Sequence, residues 1–544
     1  MITKTQVRYY LSEAEGVQKL AKEMARADGH KFRDSKWVEL ASIADIDTPV
    51  GQLLAPDKRR AQAHGTPSKV FVFTSAQNNT DLHDGFWKSL MHYVKERDAE
   101  LHVSRFVYNK KSMAAAGAKK DTSNDNDEDE IWYDPRIAPY VSDESLQITD
   151  TLVWCGELNI LPTRVHPLST LKTYARGCSG IVPHVKMRMD SVPTMKNDDP
   201  VFMYTTGTVT QRNYIQRQAG QVADFHHVFG ALVVEVCQHT GEWWARQLNA
   251  ETLSGHFYDL DKYWTPDEVH DGQRVLAVTH GDLHGFKVDT DVFNSVFDEG
   301  GMLDQLMPYE QYMHDTLDFM PRNHHNIKDP HFLWEMHHIK KDSVQEEFMF
   351  AADLIIQASR KYCKTYIISS NHDMAISQWL RNTTAFFDPP NAEFWLRTNL
   401  RIAESIRQGA KVCPFKIALS NAILQRSIDA GNEFPAYRVI EEDESKKVLG
   451  TDIEAGLHGH LGPSGARGNP LNLRPVGKAN TGHTHSAGIV DGIYTAGVYG
   501  KLDMGYNKGL SSWSHSLIVT YLNGKRAILT IKQYKAWRDM LGRK

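Results

Sequence analysis

Two apolar runs in the second half of the chain end in the same kind of polar cluster, and this recurrence constrains the fold more than any other feature. RVLAVTH (274–280) has the composition of a buried strand and runs directly into Gly281-Asp282-Leu283-His284-Gly285. KTYIISS (364–370) reads as a second buried strand and ends in Asn371-His372-Asp373. Ligand-type side chains at a strand end are held by the sheet, and α/β folds place their sites in the loops after parallel strands. An α/β fold with a site at strand ends is the resulting expectation.

Three further motifs continue the series. MHDTLDFM (313–320) carries Asp315 and Asp318, AGLHGHLGPSG (455–465) carries His458 and His460 between glycines, and Gly482-His483-Thr484-His485 comes last. In a chain with 26 histidines a lone His-x-His carries little, so the ordered set is what counts. Mixed imidazole and carboxylate donors suit manganese, iron or zinc. A bridging carboxylate can hold two such ions side by side. An Asn amide oxygen adds a ligand without negative charge and leaves the pair electrophilic. His280, just before the first motif, reads as packing. His324, His325, His337 and His338 read as surface or structural, and Asp318 as an outer acceptor or a helix residue.

The series over about 274–500 resembles the calcineurin-like metallophosphoesterases, which include purple acid phosphatases, protein serine/threonine phosphatases and the Mre-type and SbcD-type nucleases. Two motifs depart from the pattern: His314 and Ser370 stand where glycine is usual. The long interval between Asp315 and Asn371 implies an insertion around 321–341. The resemblance implies a two-sheet α/β sandwich over 269–544. It puts Asp282, His284 and His485 on one ion, Asn371, His458 and His483 on the other, and Asp315 between them. Asp318 in place of Asp315, and His460 in place of His458, stay open. His372 is implied as a proton donor to the leaving oxygen, with Asp373 orienting its ring and a metal-held hydroxide attacking phosphorus. Two divalent ions are expected, manganese first, with iron, zinc or magnesium as alternatives. The nuclease relatives commonly pair, so a homo-oligomer is implied.

At 544 residues the chain calls for two or three domains. The expected division is a helical segment over 1–64, an α/β accessory domain over 65–268, and the sandwich. QKLAKEMARA (18–27) and KWVELASIADI (36–46) are amphipathic; with TPVGQLLAPDKRR they suit a helical arm better than a DNA-binding unit. KVFVFT (69–74), a helix over 84–97 and LHVSRFVY (101–108) form a β-α-β unit. Residues 109–130 read as a mobile polar loop, and 151–161, 201–209 and 230–236 as strands. Asp81-Leu82-His83 has metal-type residues but no matching ligands nearby. In the second half, 396–411 reads as a helix, VCPFKIALSN (412–421) as a strand or core segment, and 514–537 as a hairpin turning at Asn523-Gly524.

The five cysteines include no CxxC, which fits free thiols in a reducing cytoplasm. No apolar run approaches the roughly 20 residues of a membrane span, so no membrane association is expected. The N-terminus lacks the apolar core of a signal peptide. With a net charge of −5, nucleic-acid binding would need local basic surfaces. Basic residues interleaved with tyrosines over 171–217 (Lys172, Arg176, Lys186, Arg188, Lys196, Arg212 and Arg217, with Tyr174 and Tyr214) offer one candidate. Arg467, Arg474 and Lys478, between the last two motifs, are candidate DNA contacts. The large accessory region also leans toward nucleic acid. The whole chain, with VFVFTSAQNNT and SSNHDMAISQWL, resembles pre-early host-DNA-degradation proteins of T5-like bacteriophages. That implies a DNase acting in the cytoplasm of the infected bacterial host. The alternatives are a phosphomonoesterase or nucleotidase, and a DNA-transfer or regulatory protein using the domain as a scaffold.

Overall fold

The computed structural model describes residues 2, 7, 10, 18–33, 36–37, 61–62, 70–108, 131–196, 198–323, 326–431 and 434–540. The expected loop 109–130, most of 36–46, the 48–60 segment, His324 and His325 lie outside them. The chain divides into two units, Met1–Gln62 and Ala63–Lys544. In the first, Gln18–Ala27 is helical, and Ala21 and Ala25, one turn apart, are buried with Ile2, Val7, Tyr10 and Trp37.

The second unit is mixed α/β. Its central sheet runs in the order Tyr437–Ile440, Lys364–Ile368, Glu310–His314, Ala277–Thr279, Ser516–Thr520, Arg526–Thr530. The first four strands are parallel neighbours, so their C-terminal ends share one edge. The last two form the expected antiparallel hairpin, with Gly524 at φ 72° in its turn. Helix Val344–Ala358 covers this sheet. Ser343 caps it, its hydroxyl accepting from the Glu346 N–H at 3.1 Å, and Val344, Phe348, Ala351 and Ile355 make its buried stripe.

The expected β-α-β unit is present as Val70–Gln77, helix Asp84–Glu96 and Ala99–Phe106, the two strands pairing in parallel. Gly230–Val236 and Trp243–Asn249 extend that sheet. Its outer strand reaches the central hairpin: Gln247 accepts from the Ile528 N–H at 2.9 Å and Asn249 donates to the Arg526 carbonyl at 2.7 Å.

A third sheet crosses the expected boundary at 268/269. Met189–Val192 pairs with Gly488–Val490, which continues into Ile493–Thr495 and Ala479–Thr481. This sheet meets the central one through Asn480, which donates to the Thr279 and Thr520 hydroxyls at 3.3 and 3.1 Å. The segment expected as a strand or core segment at 412–421 lies mostly in helix Pro414–Ala430, with Phe415, Ala418 and Leu419 buried; its first turn holds Pro414, where the missing N–H costs nothing. Among the described residues no helix is long and apolar enough to cross a membrane.

Candidate metal centre

Parallel alignment brings the motifs to one edge. The His284 N–H donates to the Asp315 carbonyl at 2.7 Å and the Leu283 N–H to the His314 carbonyl at 3.1 Å, which locks the first two motifs together. The Gly482 N–H donates to the His458 carbonyl at 2.9 Å, joining the last two. Asp282 accepts the His483 N–H at 2.7 Å and so ties the end of the series to its beginning. His284, Asp315, His483 and His485 all have left-handed backbones, with φ of 60°, 45°, 73° and 56°. Such conformations are costly for these residues and aim the side chains into one volume.

The side chains converge. His284 Nε2 lies 2.8 Å from His485 Nε2 and 3.4 Å from Asp315 Oδ2. His485 Nε2 lies 3.3 Å from Asp282 Oδ2. These four residues are buried and their ligand atoms fall within one ion's reach. On the other side His458 Nε2 is 3.4 Å from Asp315 Oδ2, and the His483 ring packs edge-on to His458 at 5.2 Å. Asp315 lies between the two groups. His460 is directed elsewhere, to Glu442 at 2.8 Å.

The buried polar atoms Asp282 Oδ1, Asp315 Oδ1, Asn371 Oδ1 and His458 Nε2 have no hydrogen-bond partner. Leaving such groups unpaired is expensive, and divalent cations would satisfy them. Burial, then the Asp315 charge, pushes the Asp282 carboxyl well up. Burial and the neighbouring imidazoles push His458 and His485 well down, into the neutral form that ligates metal. The donor set therefore fits two divalent ions.

One assignment changes. The Asp373 carboxylate is taken by Thr316 Oγ1 at 2.8 Å, the Leu317 N–H at 3.0 Å and Ser370 Oγ at 3.0 Å; it braces the loops and does not meet the His372 ring. His372 Nδ1 instead faces the Asp318 carbonyl at 3.0 Å and its carboxylate at 3.6 Å. Asp318 also faces His284 Nδ1 at 3.2 Å, so one carboxylate aligns both rings. Among the candidate DNA contacts, Arg474 pairs with Asp491 at 3.2 Å and Lys478 with Asp452 at 3.0 Å. Exposed Arg467 lies close enough to His483 to help lower its pKa, behind burial as the main cause.

The basic stretch 171–217 does not form one surface. Lys186 is buried, Arg188 pairs with Asp190 at 3.0 Å, and the Tyr214 hydroxyl meets His227 at 2.6 Å. His83 caps helix Asp84–Glu96 by accepting the Phe86 N–H at 3.2 Å, a structural role. His280 packs between Tyr499 and Gln311 as expected, and exposed His337 pairs with Asp342.

Two residues were not singled out as part of the site. His314 lies 3.3 Å from His458 Nδ1 and could join Asp282 and His458 around an ion; its only signal was its place before Asp315. Buried Glu347, far from the first motif in sequence, accepts the Asp318 N–H at 2.9 Å, and nothing in its helix marked it. Burial, then the Asp318 charge, pushes Glu347 up to about 8.

Gly482 is required by contact. A Cβ there would stand 2.1 Å from Asp282 Oδ1. Gly482→Ala is expected to displace Asp282, cost about 1–3 kcal/mol of stability, and weaken metal binding. Denaturant midpoints and metal titration of the two proteins check this.

No family model and no solved structure matches the chain. A curated protein, Protein A1 of Escherichia phage T5, is 39% identical over 477 residues, covering 86% of this chain and 82% of that protein.

Proposed function

Taking as premise that this chain belongs to the family of Protein A1 of Escherichia phage T5, we propose that it is a two-metal phosphodiesterase of the calcineurin-like kind that degrades host DNA during phage infection. The observation that carries this reading is the convergence of Asp282, His284, Asp315 and His485 in one buried cluster beside His458 and Asn371. Divalent ions held there would supply Lewis-acid charge and lower the pKa of a water.

The protein's own groups have distinct tasks. Asp282, His284 and His485 would hold one ion and Asn371, His458 and His483 the other, with Asp315 available to both. His372, at the rim with its Nδ1 fixed by Asp318, carries the proton that the leaving oxygen needs. Arg467 offers a cation to a flanking phosphate, which a polymeric substrate has and a monoester lacks. The mixed imidazole and carboxylate donors suit manganese, iron or zinc, and manganese is the first ion to test.

The test is purified protein with manganese on duplex DNA, single-stranded DNA and a nucleoside monophosphate. DNA should be degraded and the monoester spared. Phosphate release from the monoester with DNA intact would make the protein a nucleotidase. Bound metal with no turnover of any substrate would make the domain a scaffold.

A further inference from the structure

Beside the metal centre lies an aromatic pair that none of the assigned roles uses. Trp513 packs edge-on against His485, with centroids 4.3 Å apart, and Tyr506 packs against Trp513 at 6.0 Å. On its other side Tyr506 meets Lys287, whose ammonium lies 4.6 Å from the ring centroid and 3.4 Å from Asp318 Oδ2. Tyr506 thus closes a circuit through Trp513, His485, His284, Asp318 and Lys287. It is 43% exposed, although its hydroxyl is tucked onto Met504 Sδ at 3.0 Å.

The loop is braced to hold that ring still. Asn507 accepts the Met504 N–H at 3.0 Å and donates to the Leu502 carbonyl at 2.9 Å. Ser511 and Thr194 exchange backbone hydrogen bonds at 2.9 and 2.8 Å, and Lys196 donates to Asp503 at 2.9 Å. The front half of the chain therefore buttresses the loop from outside the centre. Lys501 and Lys508, both exposed, add positive charge to it.

We propose that the exposed face of Tyr506 is a stacking platform for the nucleobase adjoining the phosphate engaged at the metal centre. A solvent-facing ring, held rigid beside cations and one step from the metal ligands, suits a ligand with a flat π-face next to a phosphate. That is a nucleotide unit. Such stacking tolerates any base, so the platform would position a strand without reading its sequence. Preorganisation by Asn507 and Thr194 keeps the ordering cost low. This inference rests on the phosphodiesterase reading above.

Two measurements test it separately from that reading. The first compares kcat/KM for thymidine 5′-(p-nitrophenyl phosphate), which carries a base, with that for methyl p-nitrophenyl phosphate, which does not. Tyr506→Ala should lower this ratio by roughly tenfold or more, and Tyr506→Phe should restore it. The second is fluorescence of a single strand containing 2-aminopurine, bound to protein holding calcium in place of manganese. Stacking quenches the probe in the wild type and in Tyr506→Phe, and Tyr506→Ala should abolish the quench. An unchanged ratio, or a quench that survives in Tyr506→Ala, overturns the platform. Wild-type protein that quenches but hydrolyses neither ester removes the phosphodiesterase reading and leaves the platform standing.

Discussion

Alanine in place of Asp315 is expected to strip both ions from the protein and remove all measurable phosphoester hydrolysis. Asp315 Oδ2 stands 3.4 Å from a ring nitrogen of His284 and 3.4 Å from one of His458. Its Oδ1 has no other partner, and the residue is almost fully buried. Asp282 also faces both halves, 3.3 Å from His485 Nε2 and 3.9 Å from His458 Nδ1, but only Asp315 stands within 3.4 Å of an imidazole in each. Elemental analysis after dialysis reads the outcome directly. Because φ at this position is 45°, alanine adds backbone strain; Asp315→Asn, a residue at ease in the left-handed region, separates folding from metal loss. Two ions retained in both variants would transfer the bridge to Asp318. By contrast, His485→Ala and His483→Ala should each deplete a different ion, because their rings point into opposite halves.

His372→Ala is the second large effect, and its signature is the opposite. Both ions should remain while DNA cleavage falls by about 10²- to 10⁴-fold, the usual contribution of a positioned general acid. In the metal-free protein burial would depress the His372 pKa, but the Asp315 and Asp318 carboxylates outweigh it and raise the value. The active form is protonated, so activity of the loaded enzyme should decline as pH rises through the pKa of His372. His372→Ala should lose that limb of the profile. Asp318→Asn should cost roughly 10- to 100-fold, since it aligns both His372 and His284. A His372→Ala variant that still degrades DNA at the wild-type rate would end the proton-donor assignment.

The parts of the site that lay close in sequence were legible. Asp282 with His284, and His483 with His485, are each one turn of backbone apart, and the ordered series of motifs, more than either pair by itself, pointed to them. The β-α-β unit and the closing hairpin were equally visible, because apolar runs and the Asn523-Gly524 turn are local signals. What failed depended on the third dimension. Asp373 follows His372 directly, but the left-handed turn at Asp315 carries Thr316 and Leu317 onto Asp373 and brings Asp318 to the imidazole. The ion pairs of Arg474 with Asp491 and of Lys478 with Asp452 likewise join residues distant in sequence. For 412–421 the strand and core-segment readings stayed open because a short apolar run has the same composition in a strand as in a buried helix, and folding chose the helix.

The sheet that spans 268/269 has a consequence for inheritance. Met189 sits opposite Ile489 in that sheet, and Thr194 and Ser511 exchange hydrogen bonds nearby. A recombination event joining the front of one relative to the back of another would have to match both edges at once. A slip of one residue would turn the buried Met189 outward and reverse every side chain along its strand. A chimera of two relatives joined between Met189 and Ser511 is therefore expected to fold less stably than one joined outside that interval.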